Sequence, residues 1–150
     1  MFEMDGGGRM RPELDLPADL RLKVFIVEDH ALTRETLGDL LEDQGFEVVG
    51  RCPAAAATVQ AVTAAAPDVC LISLGIVGES MIDVCRTITE AAPRIACVML
   101  SLRDRPGEIT ASFRAGACGY VLASLAGDRL AWALKDAVRW RRSRRMSELS

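Results

Sequence analysis

Along this chain, short unbroken apolar runs alternate with longer stretches in which apolar residues return at helical spacing. The runs at 22–27, 46–52, 69–73, 95–101 and 118–122 predict five strands. Their apolar positions are continuous rather than alternating, as expected of parallel strands covered on both faces. Between them lie the helical segments. Leu37, Leu40 and Leu41 recur within 32–44, and Gly45 supplies the stop. An alanine-rich helix at 54–66 ends at Pro67, and another at 80–92 closes at Pro93. Pro106 opens a fourth helix as a first-turn proline, and Gly116 closes it. A fifth runs from 125 to about 142, with Leu130, Leu134, Ala137 and Val138 facing inward. Five strands alternating with five helices predict an α/β fold, a doubly wound parallel sheet with helices on both faces.

Length and composition fit one domain. The chain has 150 residues, half of them apolar (50%) and about a quarter charged (26%), within the range of an ordinary single core. Residues 1–21 contain Gly-Gly-Gly, Pro12 and Pro17 without a period and are expected to be a flexible tail. The domain is expected over 22–142, with a C-terminal tail at 143–150. A net charge of -3 gives the whole chain no bias toward nucleic acid. No secretory signal is visible. The most apolar stretch, 61–78, is interrupted by Pro67 and Asp68, so no membrane span and a cytoplasmic location are expected. Five scattered cysteines, Cys52, Cys70, Cys85, Cys97 and Cys118, form no Cys-x-x-Cys pair and are expected to be reduced thiols.

Ligands of such folds gather beyond the carboxyl ends of the strands. Glu28, Asp29, Ser73, Ser101 and Ala123 all fall there. Glu28 and Asp29 could hold a divalent cation, but an acidic pair at a strand end also serves as a helix cap or a solvated loop. Ser73 stands where a third carboxylate would complete the cluster. It can equally fill space and bond a backbone group. His30, the only histidine, fits a loop or cap better than a general base.

The wording Phe-Ile-Val-Glu-Asp-His-Ala-Leu-Thr-Arg at 25–34, with Arg-Ala-Gly-Ala-Cys-Gly-Tyr-Val-Leu at 114–122, carries a resemblance. Residues 22–139 resemble the receiver (CheY-like) domain of bacterial two-component response regulators, especially the NarL/LuxR-type subgroup. The resemblance implies a flavodoxin-like sheet of order 2-1-3-4-5. It places the magnesium-binding acidic pair at Glu28 and Asp29, the phosphorylated aspartate at Ser73 and the phosphate-binding hydroxyl at Ser101. The switch aromatic falls at Tyr120 and the lysine that pairs with the phosphate at Ala123. Val77 and Gly78 replace the usual proline-glycine, while Glu79 and Asp83 lie too far along the chain to stand in for the nucleophile. The nucleophile and the cation are therefore missing together. A family site with three carboxylates and a lysine has formal charge -2, and Glu28 with Asp29 alone keeps that value.

Phosphotransfer needs an in-line carboxylate, a divalent ion and a fixed cation. A serine would need a general base. The expectation is a degenerate, non-enzymatic pseudo-receiver acting in phosphorelay signalling by protein–protein interaction, with no cofactor beyond residual magnesium. Its expected partners are a sensor kinase or another response regulator, or a second copy as a homodimer. The family commonly dimerises through the fourth and fifth helices and the fifth strand. On the last helix, Trp132, Trp140, Arg139 and Arg141 are the candidate contact surface, within a basic cluster that includes Arg142, Arg144 and Arg145. The same arginines could complement the helix dipole. Only Met-Ser-Glu-Leu-Ser follows Arg145, so no DNA-binding output domain is expected here. Two alternatives stand beside this reading. One is an active receiver with an atypical phosphoacceptor, and the other is salt-sensitive, nonspecific nucleic-acid binding through the arginines.

Overall fold

A computed structural model describes residues 21–75, 78–103, 105–123 and 127–149. Five strands, β1 (Lys23–Val27), β2 (Glu47–Cys52), β3 (Val69–Ser73), β4 (Ala96–Ser101) and β5 (Gly119–Leu122), alternate with five α-helices. The helices are α1 (Ala31–Asp43), α2 (Val59–Ala65), α3 (Gly78–Ala91), α4 (Pro106–Arg114) and α5 (Gly127–Leu149). All four strand pairings are parallel, in the order β2-β1-β3-β4-β5. This is the expected flavodoxin-like arrangement.

The strands hold because both faces of the central ones are covered. Every residue of β3 and β4 is buried. On one face Cys70, Ile72, Cys97 and Met99 pack with Ile88 and Cys85 of α3. On the other, Leu71, Val98 and Leu100 pack with Leu130, Leu134 and Val138 of α5. Each such large side chain contributes about 1.5 to 3 kcal/mol on leaving water. Register then lines up the strand ends. Val27 lies opposite Ile72, Ser73 opposite Leu100, and Ser101 opposite Leu122.

Several boundaries differ from the sequence expectation for identifiable reasons. Phe46 and Ile95 are not in strands, because their amides bond back to Leu41 O and Ala92 O, both at 3.0 Å. The alanine-rich segment is not one helix. A 3-10 turn spans Ala54–Ala56, and α2 begins afresh after Thr58, whose hydroxyl accepts from the Ala61 amide at 3.1 Å. Helix α5 does not stop near Arg142 but continues to Leu149, so 143–149 is helix rather than tail. No glycine or proline occurs after Gly127, and arginine, methionine, glutamate and leucine all favour a helix. Most of the expected N-terminal tail, residues 1–20, lies outside the described residues. Among the described residues, no helix is long and apolar enough to cross a membrane.

Candidate functional site

The carboxyl ends of β1, β3 and β4 converge on a cavity of about 440 Å3, with Glu28, Asp29 and Ser73 on its wall beside the apolar Leu74, Met81 and Leu102. Glu28 is buried and Asp29 exposed. Each carboxylate already accepts a backbone N–H. Glu28 Oε2 takes the His30 amide at 3.1 Å, and Asp29 Oδ1 takes the Ala54 amide at 2.7 Å. The second bond ties the end of β1 to the 3-10 turn that interrupts the alanine run.

A cation lies beneath the pair, and sequence reasoning missed it. Arg34 Nη1 donates to Glu28 O at 2.8 Å and to Asp29 O at 3.5 Å. Arg34 is the one arginine of α1, but nothing in the sequence marks where its guanidinium goes. His30 caps that helix, its Nδ1 accepting from the Thr33 amide at 3.3 Å. It is a capping residue on the wall of the same cavity as Ser73, its ring engaged by Thr33.

Ser73 closes β3, is 5% exposed, and faces the cavity. Among the described residues, Glu28 and Asp29 are the acids lining the cavity. Asp83 pairs instead with Arg86 on the outer face of α3, and Val77 and the side chain of Glu79 lie outside the described residues. Magnesium prefers octahedral oxygen donors, usually one or two carboxylates aided by phosphate and water. Here two carboxylates each have one oxygen committed, and among the described residues no group of three His, Cys, Asp or Glu side chains is placed to hold a metal. The side-chain donors left for a divalent ion are the second oxygen of Glu28 and of Asp29.

The remaining expected site residues are separated. Ser101 is buried and closed on its own loop, donating to Arg103 O at 2.7 Å and accepting from the Arg103 amide at 3.2 Å. Tyr120 is half-buried against the α3 side of the core, while Ala123 packs toward the α5 side and adds no charge. On α5, Trp132 and Trp140 are both exposed, at 66% and 50%. Arg144 and Arg141 lie over the Trp140 ring at 5.6 and 5.7 Å, within cation–π range. Arg139 is exposed. Arg141 departs from the expected open contact surface. Its Nη2 donates to Gly116 O at 3.0 Å and lies 3.0 Å from Cys118 Sγ, so it fastens α5 to the turn before β5. Arg142 pairs with Asp68 at 3.3 Å, and the side chain of Arg145 lies outside the described residues.

The cysteines are free thiols, as expected. A hydrogen bond with Cys97, reinforced by burial, pushes the Cys85 thiol far up. Cys97 is raised by its hydrogen bond with Cys70 and by burial, and Cys52 by burial. Cys70, Cys85 and Cys97 are core-filling, weakly reactive groups, while Cys52 and Cys118 are half-buried.

Residues 24–135 match the family model described as the response regulator receiver domain. The chain is 34% identical over 116 residues to the DNA-binding transcriptional activator DevR/DosR of Mycobacterium tuberculosis, covering 77% of this chain and 54% of that protein. It is 31% identical over 108 residues to the nitrate/nitrite response regulator protein NarP of Escherichia coli, covering 71% and 50%. The chain thus spans about half the length of these curated relatives. Among solved structures, the receiver domain of the NarL response regulator of Mycobacterium tuberculosis superposes with a TM-score of 0.71 at 24% identity, over 79% of this chain and 97% of that one. A LuxR-family two-component regulator from Aurantimonas superposes at 0.72 with 24% identity, over 81% and 87%. Element order, sheet order and the family match agree, and the chain belongs to the response regulator receiver family.

Proposed function

We propose that this receiver domain is a pseudo-receiver, signalling in a two-component pathway by protein contact rather than by accepting a phosphoryl group. The observation that carries this reading is Ser73, a hydroxyl at the end of β3 in a cavity whose described acids are Glu28 and Asp29 alone. An acyl phosphate needs a carboxylate nucleophile. The two acids that could serve a serine as base are tied to backbone amides, and Ala123 supplies no cation for the developing charge. Magnesium binds weakly or not at all, and the chain performs no catalysis.

Contact is then made by surface rather than by phosphate-driven rearrangement. The groove of about 320 Å3 between α4, β5 and α5, edged by Ile109, Leu122 and the exposed Trp132, supports docking of a kinase, another regulator or a second copy. The basic, aromatic stripe continues it through Arg139 and Trp140.

The test is direct. The chain is incubated with acetyl phosphate and magnesium, and its intact mass is measured. We expect no phosphoryl adduct; stoichiometric addition, whether acid-stable or acyl-linked, would favour the active-receiver alternative.

A further inference from the structure

At the opposite end of the sheet from Ser73, a cavity of about 200 Å3 lies between the turn leading into β3, the turn before β4 and the second half of α5. Three guanidiniums line it, Arg94, Arg141 and Arg142, against a single carboxylate, Asp68. That carboxylate is already engaged. Its Oδ2 accepts the Lys23 amide at 2.8 Å and its Oδ1 accepts Arg142 Nη2 at 3.3 Å.

The cations here are in excess. Elsewhere Arg51 pairs with Glu42 at 3.0 Å and Arg105 with Glu108 at 3.2 Å, while Arg86 pairs with Asp83. Arg94 has no such counterpart among the described residues, and it is exposed. The carboxyl ends of α2 and α3 also point toward this end of the sheet and attract cations. Each contributes only about half a negative charge, so the three guanidiniums still outweigh the negative charge facing them.

Two further features belong to the same place. Arg141 is held in one orientation by its bond to Gly116 O at 3.0 Å, yet its buried Nε–H has no acceptor among the described residues. Buried donors are almost always satisfied, so this one signals a missing partner. Ala66, on the cavity wall, adopts φ 51, ψ 52, a left-handed conformation disfavoured for a residue with a Cβ. Such an outlier is a reason to look for function.

The geometry points to an oxyanion site at the base of the sheet, in which Arg94, Arg141 and Arg142 hold inorganic phosphate or the phosphate group of a small ester. The cavity is smaller than the roughly 300 to 1,000 Å3 of pockets that enclose whole ligands, so only a head group fits. Guanidiniums pair with phosphate oxygens bidentately, and cations from two chain segments suit a dianion better than a single carboxylate. The proposal is independent of whether Ser73 accepts a phosphoryl group.

Calorimetric titration of the full chain at constant ionic strength tests it, using inorganic phosphate, glycerol phosphate and succinate in turn. We expect one phosphate-type ligand per chain. Arg94→Gln and Arg142→Gln should each weaken binding about tenfold or more, the loss of one charge-assisted contact. Both side chains are exposed, so the variants should fold, which their denaturation midpoints will show. Arg86→Gln, remote from the cavity, should leave the affinity unchanged. Tighter binding of the ester would identify esters as the ligand class, and tighter binding of inorganic phosphate would identify the free anion. Absence of binding, succinate as strong as phosphate, or an equal loss in Arg86→Gln would overturn the proposal.

Discussion

Replacing Ser73 with aspartate should destabilise this domain and make its stability depend on magnesium. Val27 and Ile72 are register partners on neighbouring strands, so the side chains of residues 28 and 73 follow each other at the same sheet edge. Parallel strands lie about 4.8 Å apart, which puts the new carboxylate about 6 Å from that of Glu28. Like charges at that distance repel by about 3 kcal/mol at an effective dielectric near 20. Asp29 is exposed and adds little after screening. Allowing for relaxation, a net loss of about 1 to 3 kcal/mol is expected, or about 4 to 12 °C in midpoint for a domain of this size. Repulsion and burial both raise the folded-state value of the introduced acid. The penalty should therefore be absent below the unfolded aspartate value, grow as pH rises toward the folded value, and be complete at neutral pH. Thermal and urea denaturation of wild type and variant, each with and without millimolar magnesium, measures this. The variant should regain most of its loss with magnesium, while the wild type should hardly respond. A wild-type midpoint that rises as much as the variant's would refute the argument that the native pocket no longer needs a metal.

Other consequences are simpler to check. In native protein at pH 8, a thiol reagent should modify the half-buried Cys52 and Cys118 but spare Cys70, Cys85 and Cys97, which should react only on unfolding. Because the folded Cys85 and Cys97 values lie above the ordinary thiol value of 9.0, their contribution to stability is complete below that pH and should fall as pH rises beyond it, as an alkaline denaturation series would show. Gly116→Ala should cost about 1 to 3 kcal/mol in urea denaturation, since Gly116 has φ +104 and an added Cβ would stand 2.7 Å from Thr89 Oγ1. Trp132→Ala and Trp140→Ala should each change stability by less than about 0.5 kcal/mol yet weaken self-association or partner capture, measured by sedimentation and pull-down.

The fold was legible in the sequence because its signals are local. The apolar runs of β3 and β4 are buried at every position, and Gly45, Pro93, Pro106 and Gly116 mark turns that need no distant partner. What was missed depends on contacts far apart in the chain. The alanine run reads as one helix by propensity, but the Ala54 amide is claimed by Asp29, 25 positions earlier, and Thr58 starts a new helix. At the site, the placement of the acidic pair and Ser73 on one cavity and the capping role of His30 were readable from position alone, whereas Ser101 bonds the Arg103 backbone and does not line that cavity. Arg34 under the acidic pair was not, nor was the diversion of Arg141 from the surface to Gly116 and Cys118, because neither arginine carries a mark in the sequence of where its guanidinium goes.

A pseudo-receiver has an acidic pocket with no phosphoryl chemistry left. Fluoroberyllate with magnesium mimics an aspartyl phosphate, and nuclear magnetic resonance can follow its addition residue by residue at the amides of Ser73, Ser101 and Tyr120. In a pseudo-receiver these signals should stay in place at millimolar magnesium and fluoroberyllate, while Ser73→Asp with Ala123→Lys should shift all three. Saturable shifts of Ser101 and Tyr120 in the wild type would contradict that reading.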